Sequence, residues 1–209
     1  MSEQLIVSFI AAIFITYYTQ KQIAFIINHY DSTLQKSRNP HLIIIWFMMY
    51  ILLIKTASLY SSKTSFFIVY AMLITLVIIG RVDYKTMYIL DCNHLVLLCL
   101  ILCYRHQMHH SFSLFLPFFL LIFFGAYTKY RKEVIGGGDI KLCLLMSLLF
   151  EPKSYWIAIL FAISSAMIHF VILIYKKEFS YTVPIPFGPH LAGAIIIVLL
   201  FEQELLSLI

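Results

Sequence analysis

Residues Glu133–Met146 read EVIGGGDIKLCLLM: three glycines, then an aspartate, then an apolar run. Three of the seven glycines in the chain stand at 136–138, so the backbone there needs freedom or close approach. Asp139 opens the hydrophobic segment that follows. The fold turns on whether that segment belongs to a water-soluble core or to a lipid bilayer.

Composition answers this. The chain has 209 residues, 62% hydrophobic and 12% charged, with mean hydropathy +0.91. A soluble domain of this size carries roughly 45–50% apolar and about 25% charged residues. The expectation is an all-α polytopic membrane protein whose single domain is the whole of 1–209, with no room for a large soluble domain beside the spans. The net charge of +5 is scattered through short loops without a basic stripe, so nucleic acid is not an expected partner and the lipid bilayer is.

A span needs roughly 20 apolar residues. The predicted segments are 4–19, 41–60, 64–82, 88–104, 112–128, 139–151, 153–175 and 189–207, about eight transmembrane helices. The first can run on to Ile27, and 139–151 is short enough for a re-entrant or tilted half-span. Leu5–Tyr18 has no basic stretch before it and no small-residue cleavage site after it, so it reads as a retained span. Of the fifteen Lys and Arg, eleven fall in odd-numbered loops and four in even-numbered ones. By the positive-inside rule the odd loops face the cytoplasm and both termini face outside.

The four aspartates are Asp31, Asp83, Asp91 and Asp139. Asp31 lies in the long first loop, Asp83 closes the third segment, Asp91 opens the fourth and Asp139 opens the sixth. This topology puts Asp83 and Asp139 at the same cytoplasmic border. An ionisable group at a membrane edge is costly to desolvate and is a functional candidate by default. Plainer readings stand beside that one: Asp139 as a helix cap, the glycines as a loop breaker, Asp83 paired with Arg81 or Lys85. Against them, three of the six prolines (Pro184, Pro186, Pro189) fall in "VPIPFGPHL" on the same side, and irregular backbone at membrane depth is tolerated where it lines a wet cavity. Two carboxylates sharing a site hold one proton between them. One then acts as base toward water while the other protonates the carbonyl under attack.

Taken together, these residues resemble the type IV prepilin leader peptidases, aspartyl proteases of the G-x-G-D membrane class. Gly136-Gly137-Gly138-Asp139-Ile140-Lys141-Leu142 is similar to G-x-G-D-x-K-L, Asp83 to the first catalytic aspartate, and Ile185-Pro186-Phe187-Gly188-Pro189 to I-P-F-G-P. The resemblance covers about 64–207. It implies Asp83 and Asp139 as the catalytic pair, with Gly136, Gly137, Gly138, Lys141, Pro186, Gly188 and Pro189 around the substrate. It implies cleavage of prepilin or pseudopilin leaders after a Gly at the cytoplasmic face of a bacterial cell membrane, and no cofactor or metal. Two departures stand out. Leu90 replaces the usual proline before Asp91, which should loosen the turn after Asp83. The cysteine pairs of larger members are absent from the first loop, which points to a peptidase without N-methyltransferase activity.

The remaining polar residues read more plainly. On a helix Lys141 points about 200° from Asp139, a structural or headgroup contact ahead of a field effect on the pair. Asp91 reads as structural support, with a local contact to His94. His106, His109 and His110 read as a solvated outer loop, and His190 as a residue within reach of the site. Cys92, Cys99, Cys103 and Cys143 form no C-x-x-C pair and read as small buried hydrophobes rather than a zinc site. The rival functions are a small membrane transporter, which would want mid-span acids and inverted repeats, and a non-catalytic assembly factor.

Overall fold

The computed structural model describes residues 2–29, 42–60, 62–108, 115–130, 136–176 and 186–207. Asp31, His109, His110, Pro184 and Ile185 lie outside them, as do the loop cations Lys36, Arg38, Arg131, Lys132 and Lys177. Eight helices follow in order: α1 (Ser2–His29), α2 (Leu42–Leu59), α3 (Lys63–Thr86), α4 (Asp91–Gln107), α5 (Phe115–Tyr130), α6 (Gly137–Leu149), α7 (Pro152–Tyr175) and α8 (Gly188–Leu206). No strand occurs among the described residues.

Each helix stands where an apolar segment was predicted, but the eight are not equivalent. Four are long and apolar enough to cross a membrane: Ile6–His29 of α1, then α3, α7 and α8. α2 and α5 supply shorter apolar stretches, Ile44–Leu59 and Phe115–Ala126. The segment at 139–151 is short, as its sequence suggested. At 13 residues α6 rises about 20 Å at 1.5 Å per residue, short of the roughly 30 Å hydrocarbon layer. It is cut off where Phe150 turns extended and Pro152 starts α7. α1 does run through Gln20–Gln22 to its end at His29. The Gln22 side chain is buried there, exchanging two hydrogen bonds with Asn93 of α4 (2.8 and 2.9 Å).

α3 is the hub and packs against α8, α4, α1 and α2. In its apolar window 61% of residues lie inside the bundle, against 11% for α7. The buried residues of α7 are Ser154, Tyr155, Ala158 and Ala162, one stripe at helical spacing. Its other large side chains, Leu160, Met167 and Val171 among them, are exposed. A water-soluble protein rarely exposes so much apolar surface; a helix facing lipid does. The same geometry corrects the cysteine reading. Cys143 is buried, but Cys92, Cys99 and Cys103 are exposed, because an apolar run in a membrane protein can face outward into lipid.

α3 and α4 join through a short hydrogen-bonded turn. Met87 sits in the left-handed region (φ 55°) and donates to the Asp83 carbonyl at 2.7 Å, and Tyr88 N–H donates to Thr86 Oγ1 at 3.3 Å. Leu90, expected to loosen this turn, has φ −71°, the value a proline ring would impose. Leucine therefore holds the proline conformation with its N–H intact.

Candidate active site

Asp83 lies in the last full turn of α3, only 5% exposed. Its carboxylate faces the beginning of α8, where the Gly188 N–H donates to Oδ2 at 2.9 Å. A helix start carries unpaired N–H groups and a partial positive charge, so α8 delivers its first free donor to an acid. Gly188 is required for this approach: a Cβ there would stand 2.6 Å from Asp83 Oδ2 and 2.9 Å from Cγ. Pro189 follows inside the first turn and has no N–H to compete. Pro186 and Phe187 lead into that turn, and the Phe187 carbonyl accepts from His190 and Leu191.

Asp139 is the third residue of α6, and Gly136 is the cap residue with no side-chain cap bond. Asp139 is therefore not a helix cap. One of its carboxylate oxygens, Oδ1, is buried without a protein hydrogen-bond partner. Oδ2 lies over Gly136, where a Cβ would come within 3.1 Å of it. A Cβ on Gly138 would meet Ile89 Cβ at 3.0 Å, so α6 starts pressed against the α3–α4 turn. Gly137, between them, has open space around its Cβ position. A side chain would be tight at two of the three glycines and has room at the middle one. Asp139 lies within the electrostatic reach of Asp83, which stands 56 positions earlier in the sequence.

Around this pair, Lys141 donates to Asp91 Oδ1 at 2.6 Å, joining α6 to α4. Asp91 is the first residue of α4 rather than its cap, which is Leu90. Its contact with His94 is local and long, 3.9 Å to Nδ1. The other ring nitrogen, Nε2, donates to the Gly138 carbonyl at 3.0 Å. The sequence shows His94 three residues after Asp91 but carries no signal of that bond, which spans 44 positions. His190, expected within reach of the carboxylates, turns to α7 instead, with Ser165 Oγ 3.0 Å from Nδ1 and His169 Nδ1 3.1 Å from Nε2. It follows Gly188 by two residues, so on a helix start it points away from Asp83. His106 is exposed in the last turn of α4. Among the described residues no three His, Cys, Asp or Glu side chains are placed to share a metal.

An open apolar groove of about 520 Å³ lies between α2, α3 and α8, with Met48, Leu76, Gly80, Arg81, Tyr84 and Ile196 in its lining; Asp83 is not among the residues that line it. A Cβ on Gly193 would meet nothing within 4 Å.

The described residues form an all-helical bundle with four helices of membrane-spanning length, a buried acid at the end of α3 and a half-buried one at the start of α6 beside a glycine turn. The family comparison makes the identification: the model of the type IV leader peptidase family matches residues 67–174, more than half of the chain, and the protein belongs to that family and is accordingly a protease. The matched stretch contains both Asp83 and Asp139; Pro186–Pro189 and α8 lie beyond it. No curated protein and no solved structure matches the chain.

Proposed function

We propose that this protein is an aspartic endopeptidase that removes the leader of prepilins or pseudopilins, with Asp83 and Asp139 as its catalytic pair. One observation carries the reading: an oxygen of Asp139 is buried without a protein partner within the electrostatic reach of Asp83, itself held by the Gly188 N–H. A buried polar atom without a partner is costly, and a substrate carbonyl or an attacking water would supply one. The pair holds one proton between two carboxylates. One carboxylate takes a proton from the water as its oxygen bonds to the scissile carbonyl carbon, and the other gives its proton to the carbonyl oxygen. Collapse of the tetrahedral intermediate breaks the C–N bond. The protonated carboxylate gives its proton to the departing amine while the other takes a hydroxyl proton from the intermediate as the new carboxyl forms, so the pair again holds one proton.

The substrate's apolar helix lies in the groove along α3 and α8. That groove includes Gly80 and Arg81, just before Asp83, and Pro189, next to the glycine that holds Asp83. Cleavage falls after a Gly at the cytoplasmic border of a bacterial cell membrane. The first loop has no cysteine pairs, and the new substrate N-terminus is left unmethylated. The test is co-expression with a pseudopilin, following its shortening on a gel beside Asp83→Asn and Asp139→Asn. Trimming by wild type and by neither variant supports the reading; trimming by either variant removes it. Mass spectrometry of the mature N-terminus, with S-adenosylmethionine present, is expected to show a free amine.

A further inference from the structure

We propose that His94 is a positioning residue that sets the spacing between the two carboxylates by holding the Gly138 carbonyl. The inference rests on the reading of Asp83 and Asp139 as the working pair. A carbonyl oxygen only accepts hydrogen bonds, so the 3.0 Å contact requires the proton on His94 Nε2. Both the Nε2–H neutral form and the imidazolium satisfy this. The Gly138 carbonyl shares a planar peptide unit with the Asp139 nitrogen and Cα. Fixing that oxygen therefore fixes the plane from which the Asp139 side chain departs.

The opposing contact comes from the same connection. Ile89 presses on Gly138 so closely that a Cβ there would stand at 3.0 Å. Ile89 and His94 flank the start of α4, and Asp83 sits at the other end of the same short turn, its carbonyl accepting from Met87 at 2.7 Å. One rigid stretch, 83–94, thus carries the first acid at one end and grips the backbone of the second at the other. The grip is itself anchored. Asn93 is clamped to Gln22 of α1 by two hydrogen bonds, and the His94 side chain is only 7% exposed. Asp91 and Lys141 close the outer side at 2.6 Å, but their side chains are 73% and 52% exposed. A pair so exposed contributes little stability, so the grip depends on the buried histidine.

The test uses purified full-length protein and a pseudopilin substrate, with rates expressed per folded molecule. Displacing a reacting group by an ångström costs about 10²-fold in rate, so His94→Ala is expected to lower kcat by roughly that factor and leave KM within about twofold. His94→Gln, whose amide N–H reaches the same carbonyl, is expected to recover most of the loss and to be the informative variant should His94→Ala fail to fold. Wild-type kcat in His94→Ala, a rise in KM alone, or a folded His94→Gln as slow as Asp139→Asn would overturn the inference. Trimming by Asp139→Asn would instead overturn the catalytic pair beneath it.

Discussion

The two ends of the helix bundle both place ionisable groups inside it, and they treat them differently. At the end formed by the last turns of α2, α4, α6 and α8, charged and polar groups answer one another. Arg105, 6% exposed, donates to the Leu149 carbonyl at 3.2 Å and caps the short α6. Ser154 donates to Glu202 at 2.6 Å, Lys55 to Glu204 at 3.0 Å, and the Tyr60 and Tyr104 hydroxyls meet at 3.3 Å. At the opposite end the Gly188 N–H, rather than an opposite charge, holds Asp83, and one oxygen of Asp139 is buried without a protein hydrogen bond. At the first end charged and polar side chains reach one another or a backbone carbonyl. The second leaves capacity for a ligand, and its glycines give up side-chain packing to let acids and backbone meet.

This contrast can be broken at several points. The largest effect is expected from Gly188→Ala, whose Cβ would stand 2.6 Å from Asp83 Oδ2. Displacing that carboxylate should cost about 10²-fold or more in pseudopilin trimming, measured per folded molecule; near-wild-type trimming would mean that the Gly188 contact does not position the acid. Next comes a matched pair in the glycine turn. Gly138→Ala drives a methyl against Ile89 and should slow trimming by roughly tenfold or more, with partial recovery when Ile89→Ala is added. Gly137→Ala, in open space, should trim like wild type. Equal damage from both would show that the turn is read for flexibility rather than for fit.

Arg105→Met tests the other end. Leaving the Leu149 carbonyl without its donor should lower stability by about 1–3 kcal/mol, read as a lower midpoint in thermal unfolding, with trimming per folded molecule unchanged. The smallest effect belongs to Lys141→Met. It removes an ion pair whose members are both more than half exposed, and a change below about 1 kcal/mol is expected. A collapse of trimming there would reassign Lys141 from a strut to a direct partner of the reaction.

Much of this was legible in the chain itself. Eight apolar segments gave eight helices in the right places, because hydropathy over this length has few other readings. Asp83, the glycine turn and Pro186–Pro189 stood out because acids, glycines and prolines are rare in so apolar a chain. What the residues concealed were the contacts across helices. Gly188's N–H reaching Asp83 and His94 reaching Gly138 depend on backbone direction, on which residue types are silent. His190 was misjudged because nearness in sequence to the Pro/Gly turn says nothing about which side of a helix start a ring occupies. The exposed cysteines were misjudged because hydropathy marks a residue as apolar without saying whether it faces protein or lipid. The length of α6 was visible as a short segment, but the break at Phe150–Pro152 and the cap from Arg105 were needed to show that it stops short of a full span.

The central claim is that the carboxylates of residues 83 and 139 are neighbours in the folded protein. Thiol cross-linking tests it most directly: Cys at both positions, the four native cysteines replaced by alanine, a cleavable site inserted within 109–114, and a short bifunctional maleimide applied in native membranes. The account predicts that after cutting between α4 and α5 the two fragments stay joined by the linker. Fragments that separate, although each thiol still reacts with a single-ended maleimide, would contradict it.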